Sequence, residues 1–96
     1  MAVSVSVWDA SEYLETEEDI VAYLNAVIET GDPALLQAAL GDVAKARGMS
    51  SIARETGVSR KSLYKSLSAS GNPSFQTIAK VSRALGLKMI FTPMEN

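Results

Sequence analysis

The amino-acid sequence predicts an all-α domain of five short helices, with a short strand at its C-terminal end and a strand or arm at its N-terminal end. Three observations lead there. Ser, Thr or Asp residues suited to helix capping recur before stretches whose apolar residues repeat every three or four positions. Glycines stand at the far ends of several of these stretches, where a left-handed residue can stop a helix. Finally, Leu87 to Thr92 (LKMIFT) changes to a period of two and is halted by Pro93.

The elements follow in order. Val3, Val5 and Val7 alternate with Ser4 and Ser6, a pattern that suits a strand and a mobile arm equally. Residues 1–15 are assigned to this arm, with Trp8, Tyr13 and Leu14 as its anchors, and residues 16–96 to a single domain. Thr16 and Asp19 have capping-box spacing, and Glu17, Glu18 and Asp19 place negative charge where the helix dipole favours it. Ile20, Leu24, Val27 and Ile28 recur at helical spacing up to Gly31. Asp32 caps a second helix with Pro33 in its first position; Leu36, Leu40 and Val43, with Ala39 and Ala44 between them, form its inner face, and Gly48 ends it. Gly41 inside that helix costs about 1 kcal/mol relative to Ala, so a close crossing by another helix is expected there. Three short helices come next. Ser50 opens one that Gly57 closes; Ser59 opens another that ends near Ser70-Gly71-Asn72-Pro73. Ser74 opens the last, with Phe75, Ile78, Val81 and Leu85 facing inward and Gly86 at its end.

Composition narrows the function. At 96 residues, with 47% apolar and 21% charged positions, the chain is one ordinary folded domain. Cysteine and histidine are both absent, which removes disulfides, thiolate chemistry, the Cys/His zinc sites and the commonest general base. No glycine-rich phosphate loop is present, and the carboxylates crowd helix starts where capping accounts for them. The expectation is therefore no enzyme, no cofactor and no metal. The first ten residues lack the basic and apolar regions of a secretory signal, and no apolar run is long enough to cross a bilayer. A cytoplasmic protein without a membrane partner is expected.

The net charge of −2 hides a split: residues 1–44 carry nine acids and no base, while residues 45–96 carry nine bases and two acids. The halves are thus −9 and +7. The split suits two surfaces with different partners, the second half facing a polyanion, or else an interior laced with salt bridges.

The segment Ser50 to Ser68, SSIARETGVSRKSLYKSLS, has the spacing of a helix-turn-helix. Ala53 is small where two steeply crossed helices touch, and Gly57, four positions later, tolerates the positive φ of a tight turn. Val58 and Leu63 plug the space between the helices, while Ile52 and Leu67 face the rest of the core. Arg60, Lys61, Tyr64 and Lys65 then fall on the outer face of the second helix, the face that meets base edges in a major groove. Arg60 and Lys61 are the candidates for base readout; Tyr64 and Lys65 would touch thymine methyls or phosphates. Ser50, Ser51 and Ser59 offer hydroxyls and helix-start amides to phosphate oxygens, as do Asn72 and Ser74. Two residues have competing assignments: Tyr64 half-buried under Leu67, and Asn72 as a plain turn residue before Pro73.

From the second helix onward the chain resembles the phage-repressor type of helix-turn-helix domain. More narrowly it resembles the antitoxins, or antidote proteins, of bacterial type II toxin–antitoxin addiction modules. The resemblance rests on WDASEYL (8–14), GDPALLQAALGDVAKARGMS (31–50) and TGVSRKSLYKSLSASGNPSFQTIAKVSRALGLK (56–88). One departure is that Ser66, beside Leu67, occupies a position where repressors usually carry an aliphatic residue. The resemblance implies a five-helix repressor-like fold, and an antitoxin that neutralises a small ribonuclease-like toxin and represses their shared operon. The expected partners are double-stranded operator DNA, a second copy in a homodimer, and a small basic toxin. The acidic first half suits that toxin, unless its acids serve only to cap helices and solvate the surface. The dimer would form through the edge of strand 87–92 or a face of the last helix. A stand-alone transcription regulator of the same fold, without a toxin, is the alternative.

Overall fold

A computed structural model describes residues 14–95. Its five helices are α1 (Glu17–Ile28), α2 (Pro33–Arg47), α3 (Met49–Thr56), α4 (Arg60–Ser66) and α5 (Phe75–Ala84), and no strand occurs among the described residues. The all-α expectation holds.

Local chemistry sets the helix starts. The Thr16 hydroxyl accepts from the Asp19 amide at 3.0 Å while Asp19 Oδ2 accepts from the Thr16 amide at 3.2 Å, a reciprocal capping box. Asp32 Oδ1 accepts from the amides of Ala34 and Leu35 at 3.0 and 3.3 Å, with Pro33 preset for the first turn. Ser59 and Ser74 cap α4 and α5, accepting from the amides of Ser62 and Thr77, each at 3.1 Å. The third helix departs from expectation. It starts at Met49, with Gly48 (φ 108°) at its N-cap and no side chain capping it, so Ser50 lies inside the first turn. Gly48 also closes α2, its amide donating to the carbonyls of Ala44 and Lys45 at 3.0 and 3.2 Å. One glycine makes the whole corner. The reason is packing: Met49 is buried against the core, which requires the helix to begin as soon as the corner is turned.

Burial then assembles the helices. α1 packs on α2, α2 on α3, and α3 lies against both α4 and α5. Ile20, Val43, Leu63, Leu67, Val81 and Leu85 are the largest fully enclosed side chains, so every helix except α3 brings one of them, or a neighbouring residue, to the centre; α3 adds Met49 and Ile52. Leu14, from the end of the expected arm, joins the same core. The rest of that arm, with its alternating valines, Trp8 and Tyr13, lies outside the described residues. Gly41 sits where α2 meets the end of α4: a Cβ there would stand 3.0 Å from the Leu67 carbonyl oxygen. The Tyr23 hydroxyl on α1 donates to Asp42 Oδ2 on α2 at 3.1 Å. Burial first, then the Asp42 charge and this hydrogen bond, push the Tyr23 phenol up to about 12.

Two further expectations need correction. Residues 87–92 form no strand; they run as an irregular segment with Ile90 and Phe91 72% and 95% exposed. A strand needs a neighbour for its backbone groups, and no described residue of the chain offers one. Phe75 does not face inward but is 70% exposed, because the first turn of α5 projects past the core that Val81 and Leu85 fill. Ile28, in the last turn of α1, is likewise half-exposed.

Candidate nucleic-acid interface

The α3–α4 pair is held by its inner residues. Ala53 and Val58 pack partly buried against the core, and Gly57, at φ 77°, turns the chain while its amide donates to the Ala53 carbonyl at 2.9 Å. Thr56 supports the same corner: its hydroxyl accepts from the Val58 amide at 3.2 Å. Leu63 and Leu67, one turn apart and both buried, fix the rotation of α4. Arg60, Lys61, Tyr64 and Lys65 consequently face outward, and all four are exposed. The departure at Ser66 is resolved by the same contacts. Leu67 takes the inward position, leaving Ser66 half-buried with an enclosed Oγ that has no hydrogen-bond partner.

The expected residues divide into groups. Ser59, Arg60 and Lys61 stand at the start of α4, where the Ser59 hydroxyl is already engaged, accepting from the Ser62 amide and donating to Ser62 Oγ at 3.0 Å. Lys65 and Asn72 line one polar concavity together with Ser62, Ser66 and Ser70. Tyr64 turns the other way. Its ring is 42% exposed and lies 5.8 Å from Lys45 Nζ on α2, a cation–π contact beside a hollow also lined by Leu67. Ser50 and Ser51 are exposed on α3 and share no hydrogen bond or cavity with the α4 group among the described residues.

Two contributors escape a reading of the sequence. Lys45 adds a cation beside Tyr64, visible in the sequence only as a basic residue in the last turn of α2. Gln37 fixes the loop after α4: its Nε2 donates to the carbonyls of Ser68 and Gly71 at 2.6 and 2.8 Å. Gly71 is itself pressed on the carbonyls of Lys65 and Ser66, where a Cβ would collide with backbone. Asn72 is thereby held at a set place rather than on a loose turn. Chemically, the surface offers cations, hydroxyls and amides on a rigid convex helix, with no group of three or more acids that could hold a metal among the described residues.

Comparison with known proteins gives two findings. A family model described as "Probable addiction module antidote protein" matches residues 4–93. An uncharacterized protein of Haemophilus influenzae is 49% identical over 81 residues, covering 84% of each chain. No solved structure matches.

Proposed function

The chain belongs to the family of probable addiction module antidote proteins, and on that premise we propose that it is a dimeric, DNA-binding antitoxin that neutralises a small basic toxin and represses the operon encoding both. In this reading α3 and α4 form a helix-turn-helix of the phage-repressor type, and the protein acts in the cytoplasm by binding, not catalysis. One observation carries the DNA half of the proposal. Buried Leu63 and Leu67 turn Arg60, Lys61 and Lys65 outward together, and no acid lies on α4. Such a helix presents cations to phosphates and an arginine to the two acceptors of a guanine edge. Arg60 and Lys61 read bases, Tyr64 and Lys65 touch thymine methyls or phosphates, and Ser50, Ser51, Ser59 and Asn72 meet phosphate oxygens. A monomer with so few phosphate contacts binds weakly, so two copies on two half-sites are required.

The toxin half follows from family membership and from the acidic first 44 residues. The test pairs two assays on one preparation. The chain should retard a fragment of its own promoter, and should rescue growth when the protein encoded beside it is induced. Retardation without rescue identifies a stand-alone regulator. Rescue without retardation removes α4 as a DNA reader.

A further inference from the structure

A second surface includes no residue of α3 or α4. α1, α2, α5 and residues 87–90 enclose an apolar groove of about 270 Å³. Val21 and Ile28 from α1, Leu36 from α2, Ile78 from α5 and Met89 from the C-terminal segment line it. Val21, Ile28 and Met89 are 43%, 51% and 47% exposed, so a contiguous apolar surface faces solvent. The volume lies at the bottom of the roughly 300–1,000 Å³ range of small-molecule sites. Among the described residues its polar lining is Asn25, Ser82 and Lys88. Protein side chains suit it better than a metabolite.

The α1 side of this groove carries acids, while Lys88 lines it from the C-terminal segment. Glu17 and Glu18 precede Val21 by one helical turn and Glu29 follows Asn25 by one, so acids bracket the apolar stripe of α1, whose last turn holds no base. Glu17 also reaches toward the far wall, with Oε2 3.1 Å from where a Cβ on Gly86 would be. We propose that a basic protein docks here, seating an apolar row in the groove between α1, α2, α5 and residues 87–90 and setting its cations against Glu17, Glu18 and Glu29. The inference rests on the antitoxin reading and gives the toxin its surface. Charge selects this occupant. Two copies placed groove to groove would bring together the Glu17, Glu18 and Glu29 of each, with one Lys88 per copy to oppose them. A basic partner satisfies both floor and rim, and leaves the outer face of α4 free.

The test uses the full chain and the protein encoded beside it, with association measured by calorimetry. Val21→Lys and Ile28→Lys are surface changes that leave the core intact; Phe75→Lys, at a more exposed apolar position outside the groove, is the control. Each groove variant should weaken association at least about tenfold while operator binding and helix content stay unchanged. Phe75→Lys should match the unaltered chain, and the double change Glu18→Lys, Glu29→Lys should weaken association most at low salt. Wild-type affinity in both groove variants overturns the assignment. So does conversion of a dimer to monomer by them, which would give the groove to a second copy. If the unaltered chain itself fails to bind, the antitoxin reading falls and the groove assignment with it.

Discussion

The backbone carbonyl of Leu67 presses on Gly41: a Cβ at Gly41 would stand 3.0 Å from that oxygen and 3.3 Å from the Leu67 Cβ. The end of α4 thus rests directly on the backbone of α2. Gly41→Ala would gain about 1 kcal/mol of helix propensity. It would also force apart a contact whose obstacle is a backbone atom, at a cost of about 1–3 kcal/mol. The expected net is a loss near 1 kcal/mol, a drop in Tm of about 4–8 °C for a domain of this size. Calorimetric Tm equal to or above that of the parent would show that α4 yields freely.

Tyr23 and Asp42 make stability sensitive to alkali. Because the folded phenol is raised from its ordinary 10 to about 12, its contribution is complete below pH 10 and disappears as pH climbs through 12. Tyr23→Phe keeps the ring and removes the hydroxyl, costing about 1 kcal/mol after allowance for solvent access. Urea denaturation of both chains between pH 8 and 12 should show curves that start apart and converge at the alkaline end. Parallel curves across that range would mean that folding leaves the Tyr23 phenol unshifted.

Gln37→Ala deprives the carbonyls of Ser68 and Gly71 of their shared donor. The global cost should be modest, about 1 kcal/mol, since water can reach these groups. Backbone amide exchange should quicken across residues 68–72 and leave α1 and α2 as they were. On the proposed function, operator affinity should fall through Asn72 without a change in sequence preference.

For DNA binding, affinity should drop steeply between 50 and 200 mM salt, with a log–log slope of several units. Arg60→Ala should lose about 1–3 kcal/mol and relax the choice of one base pair per half-site. Lys65→Ala should weaken all sequences alike. A flat salt response, or an Arg60→Ala chain as selective as its parent, would remove α4 from the major groove.

A two-fold dimer should hold its α4 helices about 34 Å apart, one turn of DNA. The expected seam is the C-terminal segment past the groove, where Phe91 and Met94 are 95% and 91% exposed in the single chain, or a face of α5. Deleting residues 91–96, which spares the groove-lining residues 87–90, should lower dimerisation by sedimentation and weaken the operator complex. A deletion that remains dimeric moves the seam to another element.

Much of this architecture is legible in the chain because its signals are local. Thr16, Asp32, Ser59 and Ser74 each act within three residues, so their caps are readable from spacing. Gly41 and Gly57 likewise disclose a close crossing and a left-handed turn. The outward face of α4 could be read because Leu63 and Leu67 declare the inward one. What could not be read depends on distant partners. Gln37 meets a loop more than thirty residues away, and Lys45 meets Tyr64 across two helices. Alternation at 87–92 describes the side chains, but only a neighbouring backbone makes such a segment a strand. Ser50 was misplaced as a cap because the burial of Met49, not hydroxyl chemistry, decides where α3 starts.

Gly48 both ends α2 and begins α3, and that economy leaves the protein no slack at this corner. A residue inserted beside it would extend the corner by up to about 3.8 Å. If it were taken into α3 instead, it would turn that helix by about 100°. Either way Met49 and Ile52 would leave the core, and the α3–α4 pair would be aimed elsewhere. Sequence drift through insertion and deletion should therefore spare this corner, whereas the segment beyond Ile90, outside every helix and past the groove lining, can change length without redirecting the fold.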